Sequence, residues 1–225
     1  MKKRLLFSIA SVCVFLGTGC GNSAKEEGSF SEGVITYAAE PVNMDDPMAA
    51  FAPSEMTVKF KNNNSAAQMS AGIGALDASF VSDLEARTFT QIIRLFSDKY
   101  FVIQNEAEIK KENESFDLEI EPTKETKVIA GYICKKAIVH QKGDEPTDFD
   151  IYYTNELKIE NSNFSNPYYK LDGVLMEYRM KKFGLEMKFT TTGITKEKVD
   201  DAVFEIPENY EEITQEALLN KLKFF

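Results

Sequence analysis

The chain has 225 residues, a formal net charge of −10 and a single His. That excess of acid excludes nucleic acid and an anionic membrane face as partners held by charge. With 17 Phe, 9 Tyr, 8 Met and no Trp, it has enough apolar material for one domain with a sizeable core.

The chain begins Met1-Lys2-Lys3-Arg4, continues as a largely apolar run from Leu5 to Leu16, and reaches Gly17-Thr18-Gly19-Cys20. A basic start, an apolar stretch too short to span a bilayer and small residues before a Cys describe a secretory signal over 1–19. Leu16-Gly17-Thr18-Gly19-Cys20 resembles the bacterial lipobox, with Gly17 where Leu is usual. The resemblance implies that Cys20 becomes an acylated first residue and the lipid anchor. Loss of Lys2, Lys3 and Arg4 with the signal takes the net charge from −10 to −13. Cys13 departs with the signal and Cys20 is consumed by the lipid, so Cys134 has no partner for an internal disulfide. Residues 20–31 are small and polar and read as a flexible tether. Lys25-Glu26-Glu27 is similar to a surface-export signal of some Bacteroidota lipoproteins; without it, the protein faces the periplasm from the outer membrane.

From Glu32 the pattern is short strands divided by turns. Val34–Ala39 is the first. Met44–Pro53 is a loop or one helical turn. Met56, Val58 and Phe60 alternate with polar residues, and Ala66–Ser70 continues the pairing up to Gly72 and Gly74. Between 78 and 104 a helix would scatter Phe80 and Phe89 round the cylinder, so the stretch reads as strands at 78–82, 88–95 and 100–104. Asn105–Glu114 is charged and reads as an exposed connection. Phe116, Leu118 and Ile120 form a strand stopped by Pro122. Val128–His140 is apolar on both faces and reads as one central strand. Phe149, Ile151 and Tyr153 mark the next. Val174, Met176 and Tyr178 alternate, Met180-Lys181-Lys182 turns the chain, and Phe183, Leu185, Met187 and Phe189 alternate in return. Val203–Ile206 and Pro207 follow, and Thr214 caps a terminal helix from Gln215 to Lys223. About ten antiparallel strands with a C-terminal helix and no βαβ rhythm predict a single α+β, mainly β domain over 32–225.

Gly131-Tyr132-Ile133-Cys134-Lys135-Lys136, preceded by Thr126–Ala130, resembles a strand motif of Bacteroidota lipoproteins of unknown function related to the GLPGLI group. Lys170–Val174 and Phe204-Glu205-Ile206-Pro207 resemble two further signatures of that group, with Lys170 in place of Gly and Asp172 in place of Pro. The resemblance implies a LolA/LolB-like fold: one strongly curved antiparallel sheet, an incomplete barrel, with helix over its concave face.

Candidate chemistry is sparse. His140 shows no partners at metal-ligand or acid–base spacing and reads as a strand-end surface residue. Cys134 reads as a small buried hydrophobe and not a nucleophile. Asp144, Glu145, Asp148 and Asp150 lack a calcium-loop spacing and read as a solvated acidic turn. Asn63, Asn113 and Asn163 fit the glycosylation acceptor pattern, which carries little weight in a bacterial lipoprotein. With no catalytic constellation, an enzyme is the least favoured class, and no cofactor or metal is expected. The favoured expectation is an envelope lipoprotein that binds a lipid or other hydrophobic ligand in an apolar cavity lined by Tyr178, Phe183, Leu185, Met187 and Phe189. The alternative is a structural or assembly lipoprotein acting through a protein partner in the envelope, for which the absence of Trp argues against a glycan platform.

Overall fold

The computed structural model describes residues 31–143, 146–157 and 159–223. The expected signal, tether and Cys20 anchor lie outside the described residues, as do Asp144, Glu145 and the last two residues. Twelve strands form one sheet: β1 (Glu32–Pro41), β2 (Glu55–Lys61), β3 (Asn64–Ala71), β4 (Leu76–Asp83), β5 (Thr88–Leu95), β6 (Asp98–Gln104), β7 (Leu118–Ile129), β8 (Tyr132–Gln141), β9 (Thr147–Thr154), β10 (Val174–Lys182), β11 (Leu185–Thr195) and β12 (Glu211–Glu212). Two short helices, α1 (Glu106–Ser115) and α2 (Gln215–Leu222), complete the elements. The spatial order is β12-β6-β5-β4-β3-β2-β1-β11-β10-β9-β8-β7. All pairings are antiparallel except the one between β12 and β6.

This order follows from local turns. Each consecutive pair from β2 to β6 and from β7 to β11 is joined by a short hairpin, save β9–β10, while β1 and β2 are joined by a longer connection that carries the 3₁₀ turn at Pro47–Phe51. The two meanders then zip together where β11 pairs with β1, from Val34 opposite Thr195 to Pro41 opposite Met187. The alternation read from β2 and β11, and the strands expected at β4 and β5, have their physical counterpart in one apolar face. Met56 and Phe60, Ala78, Phe89 and Ile93, and Met187 and Phe189 are all buried.

The expected incomplete barrel under a helix is not what forms. The sheet is open, has twelve strands and neither closes nor curls strongly. The two short helices cover only the β4–β6 end of it, where Leu218 of α2 packs on Ala78, Ile93 and Val102 and Ile109 of α1 is buried near β5 and β6. Two irregular segments provide the rest of the cover. Residues 155–157 and 159–173 run as a series of turns over the front face, burying Leu157, Asn163 and Tyr168. Residues 196–210, including a 3₁₀ turn at Asp201–Phe204, cross the back of the sheet from β11 towards β6. There Phe204 and Tyr210 pack on Ala66, Val81 and Ile92, and Lys61 binds Asp201 at 2.7 Å. Val203 and Phe204 thus close the 3₁₀ turn.

Three further expectations change. Asn105–Glu114 is a helix and not an open connection. Asn105 accepts from the backbone of Ala107 and Glu108 while Glu108 returns a bond to Asn105, a capping box that pays for its exposed start. Pro122 does not stop its strand; β7 absorbs it at a register shift between Pro122 and Thr126. Val128–His140 is not one central strand, because Ala130 (φ 48°) and Gly131 (φ 82°) turn the chain between β7 and β8. β7 is an edge of the sheet, and the cross-strand pair Val128 and Ile133 is exposed. Glycine at φ > 0 costs little, whereas most side chains clash there.

The irregular cover hangs on one such glycine. Gly173 has φ +127°, and a Cβ on it would meet the Thr154 carbonyl oxygen at 2.9 Å and the Tyr153 ring at 3.0 Å. Gly173→Ala is expected to destabilise the fold by roughly 1–3 kcal/mol, the scale of backbone strain, read as a lower urea midpoint. An unchanged midpoint would show that the 155–173 cover contributes nothing to stability.

Candidate functional site

The front face is not completely filled. A cavity of about 250 Å³ lies between the sheet, the 155–173 cover and the 3₁₀ turn at Pro47–Phe51. β1 to β5, β10 and β11 all contribute to its walls, mostly through apolar side chains. All five residues expected from sequence, Tyr178, Phe183, Leu185, Met187 and Phe189, line it. Phe183 does so differently from the expectation. The strand β10 runs on to Lys182, and Phe183-Gly184 is the turn, with φ 52° and 87°. The ring of Phe183 therefore stands on a hairpin tip and reaches Phe80 of β4 at 6.1 Å between centroids.

Tyr37 and Tyr178 stand in the inner wall, and Tyr168, outside the lining, packs against Tyr178. Tyr178 stacks on Phe189 at 5.2 Å and meets Tyr37 and Tyr168 edge-on at 5.9 and 6.0 Å. Edge-to-face and offset stacks are the arrangements the ring quadrupole favours. Tyr37 donates its hydroxyl to the Leu175 carbonyl at 2.9 Å, and Tyr168 donates to the Arg179 carbonyl. Burial holds all three phenols well above their ordinary range, so they remain protonated donors.

The other end is polar. Lys182 binds Glu112 of α1 at 2.7 Å and lies 5.6–5.9 Å from the ring centres of Phe80, Phe89 and Phe183. Glu112 also accepts from Gln104 at 2.7 Å, and Gln104 in turn accepts from the buried Gln91. Burial raises the Glu112 carboxyl, but Lys182 and Gln104 outweigh it and leave the group below its ordinary 4.5. Lys182 and Glu112 are the charged side chains of the wall, and they neutralise each other.

The residues weighed for chemistry fall elsewhere. His140 sits on the outer part of β8 between Asp148 (2.9 Å) and Glu121 (3.5 Å), which raise its pKa; it does not line the cavity. Asp150 pairs with Lys136 at 2.9 Å. Cys134 is fully buried beside Ala137 and Val139, and burial pushes its thiol up, as befits an inert core residue. Among the described residues no cluster of His, Cys, Asp or Glu could hold a metal. Asn163 is 3% exposed and donates to the carbonyls of Leu171 and Gly173, both at 2.9 Å, so its acceptor pattern is structural. Sequence reading missed the roles of Tyr37, Tyr168, Glu112 and Lys182. The Asn105–Glu108 capping box was the one available signal that α1 exists and that Glu112 faces inward.

A family model described as N-glycanase peptide, N-terminal domain, matches residues 36–210. Among solved structures, that of PNGF-II in space group C2 matches with a TM-score of 0.53 and 17% identity, over 85% of this chain and 32% of that one. No curated protein matches the chain. These matches replace the LolA/LolB-like resemblance: the short motifs at 131–136, 170–174 and 204–207 fall inside the segment that the glycanase-domain model covers.

Because the folded state depresses Glu112, the pair stabilises the fold above pH 4.5, and the contribution is lost as pH falls through the depressed value. Glu112→Gln is expected to lower stability at neutral pH, with the gap to the wild type closing in acid. Urea unfolding across that range measures it; a gap independent of pH would contradict the pairing.

Proposed function

We propose that this chain, which belongs to the N-glycanase peptide, N-terminal domain family, is a non-catalytic binding module that takes a small apolar ligand in its front-face cavity. The observation that carries this reading is the unfilled space of about 250 Å³ inside a wall of Tyr, Phe, Met and Leu side chains. Interiors normally pack to crystal density, so a void of this size on seven strands is a feature that a binding role explains. A dry cavity of roughly 150 Å³ accepts benzene, so this one suits a ligand of about ten non-hydrogen atoms or the end of one acyl chain.

The non-catalytic part of the reading rests on the wall itself. Its Ser and Asn side chains stand without a His or a free carboxylate, and its Lys and Glu satisfy each other. The family name links such domains to N-glycanases. Since the chain spans 32% of PNGF-II, a glycanase-related accessory role is the form in which that link extends to this protein. Attachment to the cell envelope through Cys20 is supported by the basic start, the apolar run and the small residues before the Cys.

Isothermal titration with ethylbenzene tests the cavity. The wild type is expected to bind it, and Met69→Trp, which places a large ring in the space, is expected to lose binding while keeping its urea midpoint. The new Trp is the only one in the chain, so a blue-shifted emission reports that it fills the interior. Equal binding by both proteins, or none by the wild type, would sink the reading.

A further inference from the structure

The inner wall holds a hydroxyl that the fold does not use. Tyr178 is 7% exposed, lines the cavity and lies in the middle of β10. Its neighbours Tyr37 and Tyr168 both spend their hydroxyls on backbone carbonyls. The Tyr178 hydroxyl donates to none of the described residues. Its oxygen is not one of the sealed side-chain atoms that lack a partner, which are Ser79 Oγ and Gln91 Oε1 among the described residues, so it opens onto accessible space where a ligand can take its proton.

Charge narrows what the partner can be. An ionised group drawn beside three buried phenols would lose its water and meet no counter-ion, since Lys182 is held by Glu112. Lys182 also stands four residues further along β10, about 13 Å away at the usual strand rise, beyond the reach of so small a ligand seated on Tyr178. An oxygen that is polar but uncharged meets both conditions: it accepts the phenol proton and brings no charge into the apolar wall.

We infer that the cavity is built for an uncharged ligand of about ten non-hydrogen atoms carrying one hydroxyl or carbonyl oxygen, which accepts a hydrogen bond from Tyr178 while its apolar body packs against Phe189 and Met187. This assignment rests on the cavity reading above and gives it a ligand class. The ring of Tyr178, boxed by Phe189, Tyr37 and Tyr168, is fixed in direction, so the hydroxyl is preorganised for its acceptor and little freedom is lost on binding.

Three probes of matched shape test it on the full chain: ethylbenzene, 2-phenylethanol and phenylacetate, with affinities from isothermal titration. The wild type is expected to prefer the alcohol to the hydrocarbon and the hydrocarbon to the carboxylate. Tyr178→Phe keeps the ring and removes only the oxygen, so the alcohol-to-hydrocarbon affinity ratio is expected to fall about fivefold to tenfold, the scale of one net hydrogen bond. Ethylbenzene binding without a preference for the alcohol, an unchanged ratio in Tyr178→Phe, or tightest binding of phenylacetate overturns this assignment and leaves the cavity reading standing. Failure of every probe in the wild type overturns both. If the variant does not fold, the wild-type order of the three probes alone decides.

Discussion

An irregular segment can cover an apolar sheet only if its own backbone groups find partners, and in this domain a few polar side chains supply them, with the amide of Asn163 at their centre. Asn163 donates to the carbonyls of Leu171 and Gly173, and its own oxygen accepts from Asn166 at 3.2 Å. The cover is thereby cinched into a closed loop, to which Ser162 adds a bond to the Gly173 carbonyl at 3.0 Å and Asn155 one to the Asp172 carbonyl at 2.9 Å, with local backbone turns between. Buried carbonyls without partners would cost roughly 1–3 kcal/mol each, so a sheet cover without helix or strand depends on such a side chain. Asn113 of α1 reaches the Phe164 carbonyl at 3.1 Å, and Ser82 bonds Ser165, which fixes the far end of the cover to the opposite part of the sheet.

The cavity is a consequence of this construction. A helix laid across the face would bring regular side chains that interdigitate with the sheet; the loop contacts the sheet through a few residues, chiefly Leu157 and Tyr168, and bridges the rest. The space between is walled by aromatic side chains at one end and bounded by the Lys182–Glu112 pair at the other. The pair closes the polar end without leaving a net charge. That arrangement favours ligands selected by shape and by one hydrogen bond over ligands selected by charge.

Strand-level pattern was legible in the sequence wherever one face is wet. The alternation of Met56, Val58 and Phe60, of Phe149, Ile151 and Tyr153, and of Leu185, Met187 and Phe189 reads directly as the core-facing positions of β2, β9 and β11, all buried except the half-buried Val58 and Leu185. The pattern misled where both faces are apolar for different reasons. Val128 and Ile133 are apolar but exposed, so the last residues of β7 and the whole of β8 read as one central strand, and only the φ > 0 turn at Ala130-Gly131 divides them. The sheet's cover was not legible, because a loop held by Asn163 has no period. Helix over a strongly curved half-barrel was therefore inferred from short family-like motifs, and the longer match over 36–210 places the chain in a different family. The five apolar wall residues were found because the hairpin that carries them alternates cleanly. Tyr37 and Tyr168 were not, since Tyr37 meets Tyr178 from a strand far away in sequence and Tyr168 stands in an irregular loop that has no period.

The central claim is that the front face encloses real, accessible apolar space beside Tyr178. A crystal pressurised with xenon tests it most directly, because xenon enters dry apolar cavities and not packed interiors. The account predicts an ordered xenon atom between Tyr178, Met187 and Phe183 with the surrounding side chains unmoved. Absence of xenon there, with Met69 or Phe183 collapsed into the space, would show a filled core and contradict the account.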